Sequence, residues 1–248
     1  MSTKPPPKII FQPTVPLHLL DTYNLHLPST SQSPTIPQIF LDSLTVRATV
    51  FVSEQNAVPL HHHIDRDDAR SCCMVLYYPE SEQKIEQQAR QVPVGTIRLV
   101  PSPHYPHPTE GARYEAPGDD VPSVSAKELF SSPLPEYIVD RSTDLHDGIE
   151  PYVKLGRLCV VKEFRGRGSA IVLVRKMLEW VVANPDFACA GDGREWKGLV
   201  GIHANSDAVG TWKRCGFVVD EAMGSWFEGG MRHVGMFLRL NLDGITTE

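Results

Sequence analysis

Five cysteines in 248 residues are too few and too scattered for a disulfide framework. They stand at Cys72, Cys73, Cys159, Cys189 and Cys215, an odd number with no C-x-x-C pair. The zinc-ribbon and thioredoxin readings therefore fall away. Reduced, mostly buried thiols of an intracellular protein fit best. Long apolar runs are missing too. The start, MSTKPPPKII, has no signal-peptide core, and no stretch is long enough to cross a bilayer. A cytoplasmic location is expected, with a nuclear one compatible, and no membrane partner. Positive charge is not in excess: 24 Lys and Arg face 30 Asp and Glu, for a net charge of −6. That argues against nucleic acid and mildly favours a cationic substrate such as an amine. No internal repeat is visible.

What is present is an alternation of strand and helix signals. Residues 1–13, rich in Pro and Lys, read as a loose tail. Val15 to Leu27 suggests a first strand. Apolar residues at Ile39, Phe40, Leu44, Ala48 and Phe51 have helical spacing. Ser71 to Tyr78 and Val94 to Val100 read as two strands of a hairpin with a long tip. Residues 101–150 are too polar for a second domain and read as an insertion between sheet strands, disordered or merely decorative, or a lid. Pro151 to Val161 reads as a strand and Gly168 to Asn184 as an apolar helix ended by Pro185. A smaller insertion covers about 186–197. Leu199 to His203 reads as a strand, followed by a short helix capped by Ser206 or Asp207 and closed by Gly216. Phe217 to Val219 and Val234 to Leu240 complete the pattern. The order implies an α/β (α+β) domain over 14–242 around a mixed sheet, with a tail at 243–248.

The most informative segment is LCVVKEFRGRGSA, residues 158–170. An apolar strand end runs into a turn holding Gly166 and Gly168, and a helix follows at once. Glycines let backbone N–H groups approach an anion without a Cβ in the way. The first N–H groups of a helix lack internal partners and favour negative charge. Arg165 and Arg167 add forked donors suited to phosphate. A tight turn with basic surface residues is the alternative. The dinucleotide fingerprint would need a glycine where Ile171 stands, and the P-loop's G-K-[ST] is absent.

The remaining pattern, R-x-x-G-x-A at Arg165, Gly168 and Ala170, resembles the pyrophosphate loop of the GNAT superfamily of N-acetyltransferases, [RQ]-x-x-G-x-[GA]. Other segments resemble the ElaA/YjcF-like branch of that superfamily. RATVFVSEQNAVPLHHHIDRDD (47–68) resembles its R-x-x-V-F-V-x-E-Q-x-V-P-x-x-x-x-I-D pattern, with one extra residue between Gln55 and Val58, at Arg47, Val50, Phe51, Val52, Glu54, Gln55, Val58, Pro59, Ile64 and Asp65. Val94-Gly95-Thr96-Ile97-Arg98 resembles the branch's V-G-T-x-R strand, and Phe227 to Met236 its F-x-E-x-G-I-x-H-x-x-M segment, one residue shorter between Phe227 and Glu228. Together these segments span most of the chain outside the tail and insertions. The resemblance implies a GNAT fold: a mixed, mostly antiparallel sheet with helices on both faces. It implies acetyl-CoA as cosubstrate, bound by Leu158, Cys159 and Val160 along the strand, by Arg165, Gly166, Arg167, Gly168, Ser169 and Ala170 in the loop, and by Asn205 and Trp212 beyond it. The acceptor would be a primary amine, attacking directly in a ternary complex.

N-acetylation needs a neutral amine, whereas an alkyl amine near a pKa of about 10.4 is mostly protonated at neutral pH. A base or a relayed water must take the proton. Glu54, Asp65 and His233 are the leading candidates, ahead of Asp67 and His203. The Tyr that serves many family members as general acid is replaced here by Trp212, whose indole does not ionise in this range. Cys215 is an alternative donor or simply a packing residue. His61, His62 and His63 are adjacent, but no partner set accompanies them, so no metal is expected. Asp65, Asp67 and Asp68 would form an acidic acceptor wall suited to an amino sugar such as glucosamine, or to a polyamine-like amine. A peptide lysine, or a CoA-binding regulatory module with weak turnover, is the alternative. A homodimer is left open.

Overall fold

The computed structural model describes residues 7–79, 91–114, 125–133, 135–189 and 194–242. In chain order the elements are β1 (Lys8–Gln12), α1 (Leu17–Leu20), α2 (Gln38–Arg47), β2 (Cys72–Pro79), β3 (Gln91–Val100), β4 (Arg113–Tyr114), α3 (Ala126–Phe130) and β5 (Val153–Val160). Then follow α4 (Ser169–Ala183), α5 (Pro185–Ala188), β6 (Leu199–Asn205), α6 (Val209–Arg214), β7 (Val218–Val219), β8 (Ser225–Glu228) and β9 (Met231–Arg239). Among the described residues the strands form one sheet in the order β1-β2-β3-β5-β6-β9-β8-β4, with β7 on β9. Most pairs are antiparallel; β5 with β6 and β4 with β8 are parallel. This is the mixed sheet with helices on both faces that the strand–helix order implies.

The two faces follow from strand alternation. Val153, Leu155, Val200, Ile202 and Ala204 point to one side and meet Leu173, Val174, Met177 and Val181 of α4. Those four helix residues are fully buried, each contributing about 1.5–3 kcal/mol by burial. The opposite side is covered by α2, whose Val46 packs with Val50 against Cys159. Helix α2 is apolar on several sides. It runs on into a π-helical turn over Ala48–Glu54, which carries Glu54 towards the end of β5.

Three readings of the sequence are corrected here. Residues 8–12 are not part of a loose tail: KIIFQ pairs antiparallel with β2, and Phe11 stacks on Trp180 at 4.4 Å. Val15 to Leu27 is not a strand, since Leu17–Leu20 is helical and Val15, Leu20, Tyr23 and Leu25 instead fill a second core with α2 and α3. The 3-10 turn Ser206–Ala208 that leads into α6 is capped by Asn205, whose side chain accepts from the Asp207 N–H, and α6 itself starts after Ala208, so neither Ser206 nor Asp207 is the cap. The tip of the β2–β3 hairpin lies outside the described residues.

The described part of the 101–150 insertion is tied down by polar contacts. Buried Asp220 accepts from the Thr143 hydroxyl at 2.6 Å and from the Leu145 N–H at 2.9 Å. Arg141 donates to the carbonyls of Pro108, Ala222 and Met223. His107 and His146 share a 2.8 Å hydrogen bond beside Tyr152 and Phe237. Its polar composition therefore reflects bonds made back to the domain, not a lack of structure.

The N-terminal segment is locked to the sheet by buried charge. Arg47 forks onto Asp68 at 2.6 and 3.1 Å. Arg98 of β3 forks onto Asp65 at 2.7 and 3.0 Å and reaches Asp68 at 2.9 Å. Arg157 of β5 meets Asp65 at 2.6 Å. Burial alone would raise both carboxyls; the arginines outweigh it and hold Asp65 and Asp68 below the ordinary carboxylate range. Their stabilising effect is complete above the unfolded-state pKa of about 3.9 and is lost as pH falls below it. Asp68→Asn should cost about 3–5 kcal/mol, because it leaves the buried Arg47 guanidinium without its carboxylate. The readout is a lower urea midpoint at unchanged slope, and the wild-type midpoint should itself fall below about pH 4.

Candidate active site

Strand β5 carries an extra residue. Opposite β3, Thr96 pairs with Cys159 but Arg98 pairs with Gly156, so two steps on β3 meet three on β5. That is a β-bulge, and Arg157 sits in it at φ +50°. The bulge shifts the alternation, so Leu155 and then Leu158 and Val160 face the α4 side. The apolar spacing 153, 155, 158, 160 is the trace of this bulge in the sequence. The bulge bends β5 away from its parallel neighbour. Pairing with β6 covers Val153 to Leu155 and ends at Leu155 with Ile202, although both strands continue. A wedge opens between them. The Val161 N–H bonds the Val94 carbonyl on β3. By alternation Cys159 faces β3 as well, and the backbone groups of Leu158 and Val160 face the wedge.

The wedge leads to the glycine turn. Gly166 and Gly168 have φ of +75° and +78°, the left-handed region that a Cβ disfavours. Gly168 is the N-cap of α4 with no side chain to satisfy the first N–H groups. Ser169 is buried, and its hydroxyl has no partner among the described residues. Arg167 is exposed, 5.1 Å from the Phe164 ring centroid. Ala170 packs against the core beside them. Unclaimed N–H groups, an orphaned hydroxyl and a nearby guanidinium fit a pyrophosphate. Arg165 is already engaged: its Nε donates to the Val160 carbonyl at 2.8 Å and its fork holds Glu54 at 2.6 and 2.7 Å.

Sequence-level candidates for the base acquire other work. The Arg165 hydrogen bonds pull the Glu54 pKa down, which makes it a weaker base. Asp65 caps the short helical turn Arg66–Ala69 and is clamped by Arg98 and Arg157. Asp67 pairs with Arg70 at 2.8 Å, and Asp68 is buried against Arg47. The acidic wall is therefore neutralised by arginines and is not a free negative surface. His233 lies on β9 opposite Trp226, with Nδ1 2.9 Å from the Met231 carbonyl. His63 is buried under the Arg47 network, where burial pushes its pKa down to about 4. Trp212 is 4% exposed and packs edge-on to Phe217 at 5.2 Å, so it belongs to the core. Burial pushes the Cys159 thiol up to about 12, which removes it as a nucleophile. Asn205 is occupied by its cap and by a 3.0 Å contact from its amide nitrogen to Met231 Sδ.

The structure assembles a cluster that the spacing of the sequence does not reveal. Lys154 of β5, His203 of β6 and Glu228 of β8 meet on the α2 face at the apex of the wedge. Lys154 Nζ is 3.1 Å from His203 Nδ1, and that nitrogen is 3.2 Å from Glu228 Oε1. The Trp226 indole donates to the same oxygen at 2.7 Å. Burial and the neighbouring Lys154 charge lower His203 to about 4, and burial lowers Lys154 as well. Burial would raise Glu228, but its bond with His203 and the Lys154 charge hold it ionised. Close packing supports the cluster: a Cβ on Gly201, the partner of Lys154, would sit 2.9 Å from Tyr152 and Phe237. Glu228 was legible only as the E of the F-x-E segment.

No protein-family model matches the chain, and neither does any curated protein. Solved structures do. A Lactobacillus plantarum protein assigned as an N-acetyltransferase aligns at 19% identity over 95% of this chain and 99% of its own, with a TM-score of 0.49. Escherichia coli ElaA aligns at 18% identity over 93% and 98%, with a TM-score of 0.45. An acyl-CoA N-acyltransferase from Pseudomonas aeruginosa aligns at 14% identity over 85% and 95%, with a TM-score of 0.43. These are similarities of backbone at low sequence identity.

If Trp212 is a core residue, Trp212→Ala should cost about 3–5 kcal/mol of stability while CoA affinity of the folded protein changes by less than about threefold. Chemical denaturation and titration calorimetry separate the two. Unchanged stability with lost affinity would return Trp212 to the cofactor site.

Proposed function

We propose that this protein is an acetyl-CoA-dependent N-acyltransferase acting on a small primary amine. One observation carries the reading: two adjacent parallel strands part at a bulge, leaving a β5 edge without a strand partner on the β6 side, its Val160 carbonyl held by Arg165, that runs directly to the glycine turn at the N-terminus of α4. A thin chain of amides can pair with the exposed edge of β5, and a pyrophosphate can sit on the free N–H groups of the turn. The thioester then lies at the apex, between the bulge and the Lys154–His203–Glu228 cluster.

In that arrangement a strand N–H beside the bulge stabilises the developing negative charge on the thioester oxygen. The amine attacks from the α2 face, and the thiolate leaves along the wedge. A thiol near a pKa of about 8.5 is a tolerable leaving group, so a buried Trp212 in place of an ionising Tyr slows the reaction without forbidding it. The neutralised Asp65–Asp68 segment gives no special pull on a polycation. The acceptor in this reading is an ordinary primary amine, with the amino-sugar and polyamine options resting on the sequence alone. A second reading, a CoA-binding module with little turnover, draws on the missing Tyr.

The Glu54 pair makes a sharp test of the cofactor loop. Arg165→Ala should weaken CoA binding at least tenfold, the scale of one or two charge-assisted hydrogen bonds. Glu54→Gln should strengthen it severalfold, because the fork no longer has to leave a carboxylate. Titration calorimetry measures both. An unchanged affinity in Arg165→Ala and in Gly168→Trp would contradict the loop assignment. Amine-stimulated release of CoA thiol separates the enzyme from the module: the enzyme reading predicts release, the module binding without it.

A further inference from the structure

The cluster at the apex of the wedge has a polarity that the transferase reading does not by itself supply. His203 is the first residue of β6 beyond its last pairing with β5. Its side chain points to the α2 face, away from α4, because Val200, Ile202 and Ala204 take the other side. Among the described residues both polar contacts of the ring are at Nδ1, and Nε2 carries no hydrogen bond. The ring is held edge-on to Trp226 at 4.8 Å. Glu228 is fixed in turn by the indole N–H.

Resting on that reading, we propose that His203, oriented by Glu228, is the group that takes the proton from the acceptor's ammonium. In the tautomer this step requires, Nδ1–H donates to Glu228 Oε1, the Lys154 ammonium lies beside Nδ1 as a charge without a hydrogen bond to it, and the bare Nε2 faces the incoming amine. The ammonium gives one proton to Nε2, which passes it to water. The freed lone pair forms the N–C bond to the thioester carbonyl carbon, and the C–S bond then breaks. The second nitrogen proton goes to the departing thiolate, giving the amide and CoA thiol. His203 is the catalytic residue of this step and Glu228 a positioning residue.

The charges around the ring explain why a carboxylate is needed. Lys154 lies against it from β5, and His104 and His107 approach from the segment after β3. His233 of β9 acts on Glu228. Left to burial and Lys154, the imidazole would resist any proton; Glu228 steadies the transient imidazolium. The net effect keeps the ring neutral across the physiological range and, as for Glu54, makes it a weaker base than the free side chain, so the amine's proton rests on it only in passing to water.

The test uses the whole protein, acetyl-CoA and two kinds of acceptor: alkyl amines (glucosamine, spermidine and free lysine) and methoxyamine, which is already neutral at about pH 7. His203→Gln should lower kcat/KM for the alkyl amine that serves best by about 100-fold or more, the usual scale of general-base catalysis. CoA affinity should stay within about twofold. The deficit should shrink as pH rises towards the amine's own pKa. It should be less than about fivefold with methoxyamine. Glu228→Gln should give a smaller loss with the same dependence on acceptor. A loss equal for all acceptors and at all pH values would make the residue structural and overturn the assignment, as would no loss at all. Wild-type protein that binds CoA but acetylates none of these acceptors would overturn the transferase reading itself, an outcome distinct from both.

Discussion

The Asp65 carboxylate is the joint on which the site depends. It lies between Arg98 on β3 and Arg157 in the β5 bulge, and it caps the turn that follows the N-terminal segment. One side chain therefore fixes three things together: the position of that segment, the pairing of the two strands, and the left-handed residue that bends β5. An arginine at φ +50° is strained backbone for a residue with a Cβ, and the ion pair opposes its relaxation. Without the bulge β5 would run on beside β6, and the wedge would be ordinary paired sheet. The charge network is thus less a source of net stability than a means of specifying one arrangement, since burying ions is costly even when they are paired.

This changes the meaning of the residues that the family resemblance picked out. Arg47, Asp65 and Arg98 fall in two separate sequence patterns, and the structure joins them in one network. Of the three, Asp65 was a candidate for chemistry as part of an acidic acceptor wall; pairing with arginines consumes its charge. Glu54 and Arg165 show the same conversion at the surface. A carboxylate read as a base and a guanidinium read as a phosphate ligand hold each other across the end of β5.

Much of the fold was legible because its signals are local. The hairpin of β2 and β3, the apolar helix α4 with its glycine turn, and β6 with the helix behind it all follow from periodicity and caps. β1 was not legible: five residues after a Pro-rich start carry a strand only because β2 offers an edge to pair with. The disordered alternative for the insertion fails in its described part because polar residues there bond to groups distant in sequence, such as Asp220. The bulge left a trace, a break in the two-residue spacing at Leu155 and Leu158. The Lys154–His203–Glu228 cluster left almost none. Its members lie on three strands that only the sheet order brings together, and each alone has an ordinary surface or core reading.

The central claim is that the gap between β5 and β6 is a cofactor slot with a proton acceptor at its apex. A crystal structure with acetyl-CoA tests it most directly. The account predicts pantetheine amides paired with the backbone of Leu158 and Val160, the pyrophosphate on the N–H groups of residues 166–169, Arg165 turned from Glu54, and the thioester carbonyl on the His203 side of the bulge. A cofactor bound elsewhere, with the wedge empty and Arg165 still on Glu54, would contradict it.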